Sequence, residues 1–383
     1  MDQDTIQLTL HQEPAAPLPQ ATAPVLPLQP NVALFGAGGF GSNAVRRTVG
    51  LCALDGNVPA GYTFDNAASP PVALTLPDGR AVNSLLPPES HLYLNTGNRR
   101  DALLEYPLLA RRYHRLLRGF WVADSENSGV QGGNGGGTQP LMTLIDLDLK
   151  IERVRAWVRR ALQQAMGLHA EGEGVLGRLW SRREQAQEPL FVLVVAGRCG
   201  AAGAGASLLL GYLIRDEARK LGLARPTSWL LLAGPVAFHG LTKRTWVSYG
   251  ATLEALRHLA QYGIDRPGID GENLREQAAP YDRIWALDDP RLPADGTTVT
   301  PRESEAFSAR VAAAARALLL PAVRAAYLDR VANGAGADES PWPGFGTLSL
   351  GQGGFAPQLL APYLAALLAQ RRATDLADRL AST

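Results

Sequence analysis

The chain has 383 residues, 46% hydrophobic and 19% charged, with a net charge of +1. That length allows one large core or two moderate ones, and so balanced a charge gives no electrostatic footprint for nucleic acid or an anionic membrane. Two cysteines, Cys52 and Cys199, exclude a disulfide framework and suit a reducing compartment.

The first residues, Met1 to Thr5, are acidic and no apolar core follows them, so no targeting signal is read. No apolar run reaches the roughly 20 residues that span a bilayer, and a cytoplasmic protein is expected. Pro, Ala and Gln recur between Gln12 and Pro30, so residues 1–30 read as a flexible tail. Folded structure is expected from Asn31.

Val32-Ala33-Leu34 reads as a buried strand. It runs into Phe35-Gly36-Ala37-Gly38-Gly39-Phe40-Gly41-Ser42-Asn43 and then into a helix at Ala44-Val45-Arg46-Arg47. Strand, glycine turn and helix start together aim backbone N–H groups and a positive helix end at one spot. Residues 55–90 lack helical periodicity and carry several prolines, which predicts loop with short strands. His91 to Leu94 reads as a strand ending at Asn95-Thr96-Gly97, and 101–117 as a helix broken at Pro107.

A glycine-rich loop, Gly132-Gly133-Asn134-Gly135-Gly136-Gly137, precedes helical spacing from Leu144 to Met166. Residues 167–188 read as a surface insertion. The apolar run from Leu190 to Ala196 leads into Gly197-Arg198-Cys199-Gly200-Ala201-Ala202-Gly203-Ala204-Gly205 and a helix to about Leu221. A strand at Trp229 to Ala233, a helix at Tyr249 to Tyr262 and a strand at Arg283 to Leu287 follow. An Ala/Leu-rich helix from Pro301 to Val331, kinked at Pro321, completes the pattern. Alternating strands and helices predict a parallel α/β sheet with ligand loops at the carboxyl ends of its strands. A triphosphate with Mg²⁺ needs many N–H donors at close range, which glycine permits. The one-loop Walker string ending Gly-Lys-Ser or Gly-Lys-Thr is absent.

In their order along the chain these segments resemble the tubulin and FtsZ family, in a divergent bacterial branch. Gly36 to Val45 looks like the loop that opens the family's GTP site, and Leu94-Asn95-Thr96 like its strand ending in Asn-Thr-Asp. Gly132-Gly133-Asn134 is similar to its Gly-Gly-Asn loop, and 196–206 to its Gly-Gly-Gly-Thr-Gly-Thr-Gly signature. Pro235-Val236-Ala237-Phe238-His239-Gly240 resembles a Pro-Phe-x-Phe-Glu-Gly segment, and Glu305-Ala306-Phe307 an Asp-Ala-Phe on the central helix.

The resemblance implies a Rossmann-like GTPase-type nucleotide domain over 31–331 with a long central helix. Residues 332–383 are then a loop and terminal helix, with the family's second domain reduced or absent. It implies GTP or GDP with Mg²⁺, and head-to-tail self-association of a cytoskeletal kind. The implied binding residues are Gly36, Ala37, Gly38, Gly39, Phe40, Ser42 and Asn43, then Gly133, Asn134 and Gly135, then Gly200, Ala201, Ala202, Gly203, Ala204 and Gly205. His239, Lys243, Phe307 and Val311 would face sugar and base.

This chain also departs from the pattern. Ala202 and Ala204 replace threonines, His239 a ribose-binding Glu, Lys243 an Arg, and Val311 the Asp that reads guanine. Asp288 stands for an Asn of the base pocket, and the stretch 344–355 lacks the acids that position the attacking water. Slow hydrolysis or none is expected, and no catalytic residue is assigned.

Two other classes stay open. One is a non-hydrolysing scaffold that keeps nucleotide as a structural ligand. The other is an NAD-dependent oxidoreductase, which wants an acid ending the second strand; Asp55 and Asp65 are available, and neither ends a convincing strand. The 197–205 run also fits close helix–strand packing without ligand, Cys199 is a conceivable nucleophile, and the pair Arg46-Arg47 reads as a solvated helix face.

Overall fold

The computed structural model describes residues 28–66, 74–75, 79, 81–86, 88–94, 140–167, 190–234, 243–267, 272–288, 300–320, 322–324 and 345–349. Strand β1 (Leu28–Ala37) leads into α1 (Gly38–Leu54), then β2 (Val58–Asp65) and β3 (His91–Tyr93). Helices α2 (Pro140–Leu149) and α3 (Ile151–Ala165) precede β4 (Phe191–Gly197), α4 (Ala201–Lys220) and β5 (Thr227–Ala233). Helix α5 (Lys243–Tyr262) is followed by a hairpin, β6 (Ile264–Pro267) and β7 (Asn273–Glu276), and by β8 (Arg283–Asp288). Then come α6 (Pro301–Leu319) and β9 (Phe345–Ser349).

Seven strands form one sheet in the order β3-β2-β1-β4-β5-β8-β9. Every neighbouring pair is parallel. This is the doubly wound, Rossmann-like α/β arrangement expected from the alternation of strands and helices. Its strand order reverses between β1 and β4, and open α/β sheets bind ligands at such a reversal.

Both faces are covered, so central strands read as continuous apolar runs. Ala33, Phe35 and Ala37 join a core beneath α2, α3 and α4 that contains Trp157 and Leu209. Val32 and Leu34 face the opposite core, with Val45 and Val49 of α1 and Phe307, Val311 and Ala315 of α6. Among the described residues no helix is long and apolar enough to cross a membrane.

Helix α6 begins with a complete capping box. The Thr300 hydroxyl accepts the Glu303 N–H (3.3 Å), and the Glu303 carboxylate accepts the Thr300 N–H (2.7 Å). The helix ends at Leu319, because the residue before Pro321 is pushed out of the α region. Helix resumes at 322–324 beyond Pro321, where the sequence reading places a kink, and the rest of that run lies outside the described residues. Arg47 pairs with Glu305 (2.7 Å), Thr48 donates to the Ala312 carbonyl (3.4 Å), and Arg316 grips both oxygens of Asp55 (2.6 Å each). Together these tie α6 along the length of α1.

Three segments differ from the sequence reading. Residues 58–65 make a full strand that buries Val58, Ala60, Tyr62 and Phe64, although Pro59 and Gly61 interrupt its pattern. Residues 345–349, inside the stretch aligned with the family's acidic loop, form an edge strand paired to β8. Arg46 is buried at 2% exposure rather than solvated; burial lowers its pKa.

Candidate functional site

β1 and β4 end side by side, Ala37 opposite Ala196, and each turns directly into a helix. Gly38 opens α1 at φ +72, a conformation that side chains rarely adopt. A Cβ there would lie 2.8 Å from the Gly203 nitrogen in the first turn of α4. A Cβ on Gly203 would in turn collide with the Gly197 carbonyl and lie 3.0 Å from that of Ala37. On Gly36 it would lie 2.5 Å from the Gly41 carbonyl, and on Gly41 it would collide with the Val195 carbonyl. Gly38 and Gly203 therefore pack one loop against the other, while Gly36, Gly41 and Gly203 seat the helix starts on the strand ends, the close helix–strand packing that the sequence also allowed for 197–205. Gly39 alone among them is exposed.

At Gly36, Gly38, Gly41 and Gly203 a side chain would run into protein, so these positions admit only backbone. Neither α1 nor α4 has a side-chain cap, and neither carries an acid in its first turn. Each start bears roughly half a positive charge, and the two lie in van der Waals contact. Two like partial charges so placed repel unless an anion sits between them. A Cβ on Gly205 would lie 2.5 Å from the Pro140 carbonyl. That contact brings the start of α2, just beyond the third glycine loop, onto the first turn of α4.

The structure thus brings together Gly36, Ala37, Gly38, Gly39, Phe40, Ser42 and Asn43 with Gly200, Ala201, Ala202, Gly203, Ala204 and Gly205. Gly200 is the N-cap residue of α4. Ser42 Oγ donates to the Phe64 carbonyl (3.3 Å), and Ser207 Oγ to that of Ala204 (2.7 Å). Lys243 opens α5. Gly133, Asn134, Gly135 and His239 lie outside the described residues. Phe307 and Val311 have no exposed surface, lying between α1 and α6. The ring of half-buried Phe40 stacks on Phe307, centroids 5.8 Å apart at 30°.

The sequence reading took neither Asp55 nor Asp65 to end a convincing strand, and the structure differs at Asp65. Asp65 is the last residue of β2, and one of its carboxylate oxygens lies 3.6 Å from where a Gly39 Cβ would be. Its other oxygen accepts the Asn66 N–H at 2.8 Å. Buried Asn66 reaches α2, donating to Thr143 Oγ1 (2.9 Å) and Asp146 Oδ2 (3.2 Å). An acid does therefore end the second strand. The alternating Val58, Ala60, Tyr62 and Phe64 were the available signal.

Cys199 is fully buried, and that burial pushes its thiol up to about 12, against the lowering effect of Arg198, so the setting disfavours the thiolate that a nucleophile needs. The Arg198 guanidinium lies 3.4 Å above the Tyr249 ring, and its peptide N–H bonds the Ala233 carbonyl (3.1 Å), anchoring the loop before α4. Among the described residues, the acids grouped closely enough to share a cation are Asp216, Glu217 and Glu272. They lie at the far end of α4, about 24 Å from Gly200 at 1.5 Å per residue. Arg155, Arg159 and Lys220 already pair with them, so the cluster is a structural ion network.

No family model and no curated protein matches the chain. Among solved structures it is similar to CetZ from Methanosaeta thermophila strain DSM 6194, at 11% identity and a TM-score of 0.39. The match covers 80% of this chain, which spans 59% of that one. A likeness this distant decides nothing about function. The class of the protein rests on its own topology: a doubly wound parallel α/β protein with glycine loops at the reversal of strand order.

Proposed function

We propose that the chain binds a nucleotide across the starts of α1 and α4, and that the nucleotide is a guanine nucleotide with Mg²⁺, as the resemblance to tubulin and FtsZ implies. The observation that carries the reading is the pair of uncapped helix starts packed together at the sheet's reversal point. Phosphates would take the N–H groups of Gly38 to Ser42 and Gly200 to Gly205, with Gly133 to Gly135 closing the third side. Turnover would be slow or absent, because the stretch 344–355 brings no acid to position water. Head-to-tail self-association in the cytoplasm belongs to the same proposal.

Calorimetric titration of the nucleotide-free chain with GTP and Mg²⁺, with ATP and NAD as competitors, tests it. GTP binding that NAD does not displace is expected, and nucleotide-dependent pelleting would then separate an assembling protein from a scaffold. Absence of binding by every nucleotide would overturn the proposal. One observation favours a second reading: Asp65 ends β2 beside Gly39, where a dinucleotide-binding turn holds the acid for the ribose hydroxyl. Binding of NAD and not GTP would establish that reading instead.

A further inference from the structure

We infer that Phe40 is the platform on which the base stacks, so that the nucleotide is held by the face of its base and not read along its edge. This rests on the nucleotide reading above.

Phe40 lies in the first turn of α1, so its own N–H is among the donors offered to phosphate. Among the described residues of the two helix starts, its ring is the aromatic side chain. One face is backed by Phe307, 5.8 Å away at 30° and itself fully buried. The ring remains half-buried, and Phe307 behind it stiffens it in place. Phe307 offers the base no free surface, because Phe40 and α6 enclose it. The Arg310 guanidinium also lies 5.7 Å from the Phe307 centroid.

Edge reading requires buried polar groups that are left unpaired by the wrong base. The stripe of α6 turned toward α1 is Phe307, Val311 and Ala315, all fully buried and apolar. Among the described residues, what this stripe leaves to the base is stacking, which every base can enter because each has a π face. Weak discrimination between purines follows.

The test titrates the full-length protein and its Phe40→Ala, Phe40→Leu and Phe40→Trp variants with GTP, ATP and inorganic tripolyphosphate in Mg²⁺. Thermal melts check each fold, and the leucine variant keeps an apolar contact to Phe307. GTP and ATP affinities within about tenfold of each other are expected for the native chain. The alanine and leucine variants should weaken both by at least about fivefold and leave tripolyphosphate unchanged. The tryptophan variant should bind as the native chain does, with its added indole emission quenched by nucleotide.

Unchanged GTP affinity in both small variants would overturn the inference, as would equal loss of tripolyphosphate. A native preference for GTP above about 100-fold would also overturn it and point to edge reading, for example by the buried hydroxyl of Ser308. Native binding of tripolyphosphate without any nucleoside triphosphate would refute the base platform while leaving the phosphate cradle. Failure to bind any of the three would refute the nucleotide reading itself.

Discussion

Helix α6 and the pair α1 and α4 begin in opposite ways. At the start of α6, Thr300 and Glu303 satisfy one another's backbone groups, and proline fills the first helical position, where no N–H is needed. The starts of α1 and α4 are glycine and alanine, uncapped by side chains and pressed together. Sequence could have supplied a cap at Gly200 as readily as at Thr300. The difference teaches that the first start is capped by its own sequence, whereas the paired starts carry no side-chain cap and so suit the anionic ligand proposed for them. The far end of α4 shows the same contrast, for there Asp216 and Glu217 meet cations from α3 and from their own helix.

The largest effect should come from that far end. Arg155→Leu leaves fully buried Glu217 short of a partner 2.8 Å away, and about 4 kcal/mol of destabilisation is expected in denaturant unfolding. Its pH dependence sharpens the point. Burial works to raise the Asp216 pKa, but Arg155 and Lys220 outweigh it and hold the carboxyl below its ordinary value. A depressed folded pKa contributes stability above the unfolded value of about 3.9, lost as pH falls through the folded one. Asp216→Asn should therefore flatten the acid limb of the stability profile; an unaltered limb would count against the network.

Next, Gly203→Ala drives a methyl into the Gly197 backbone and toward Ala37. About 2 kcal/mol of stability should be lost together with nucleotide affinity. Thr300→Ala should cost about 1 kcal/mol in the melt and leave nucleotide affinity untouched. The smallest stability effect belongs to Gly200→Asp, which gives α4 the cap it lacks. A gain of a few tenths of a kcal/mol is expected, but nucleotide affinity should fall about tenfold or more as the new carboxylate occupies the donors. If Gly200→Asp and Thr300→Ala left binding equally unaffected, the contrast between the helix starts would carry no function.

The two loops of the cradle were legible because each sets an apolar run against a dense glycine cluster, a local signal. Their mutual contact was not, since the fit of Gly38 to Gly203 joins residues 165 positions apart through the sheet. The full length of β2 was not legible, because Pro59 and Gly61 break its alternation, so Asp65 was not taken to end a strand. β9 owes its strand to the outer edge of β8 more than to its own composition, Phe345-Gly346-Thr347-Leu348-Ser349. The burial of Arg46 was equally hidden, because neighbouring arginines on one helix face different ways. The helix carrying Phe307 and Val311 was foreseen, but not that Phe40 would stack on it.

The ties between α1 and α6 have a mechanical meaning. Arg47 and Glu305 join them near one end, Thr48 and Ala312 in the middle, and Arg316 and Asp55 near the other. The outer pairs are exposed and weak singly, but the apolar seam between them makes the two helices a single stiff strut. The stacked pair Phe40 and Phe307 lies near one end of this strut, whose 19 residues in α6 span about 28 Å. Under the nucleotide reading proposed above, such a strut would link the starts of α1 and α4 to the point where the chain leaves α6 at Leu319.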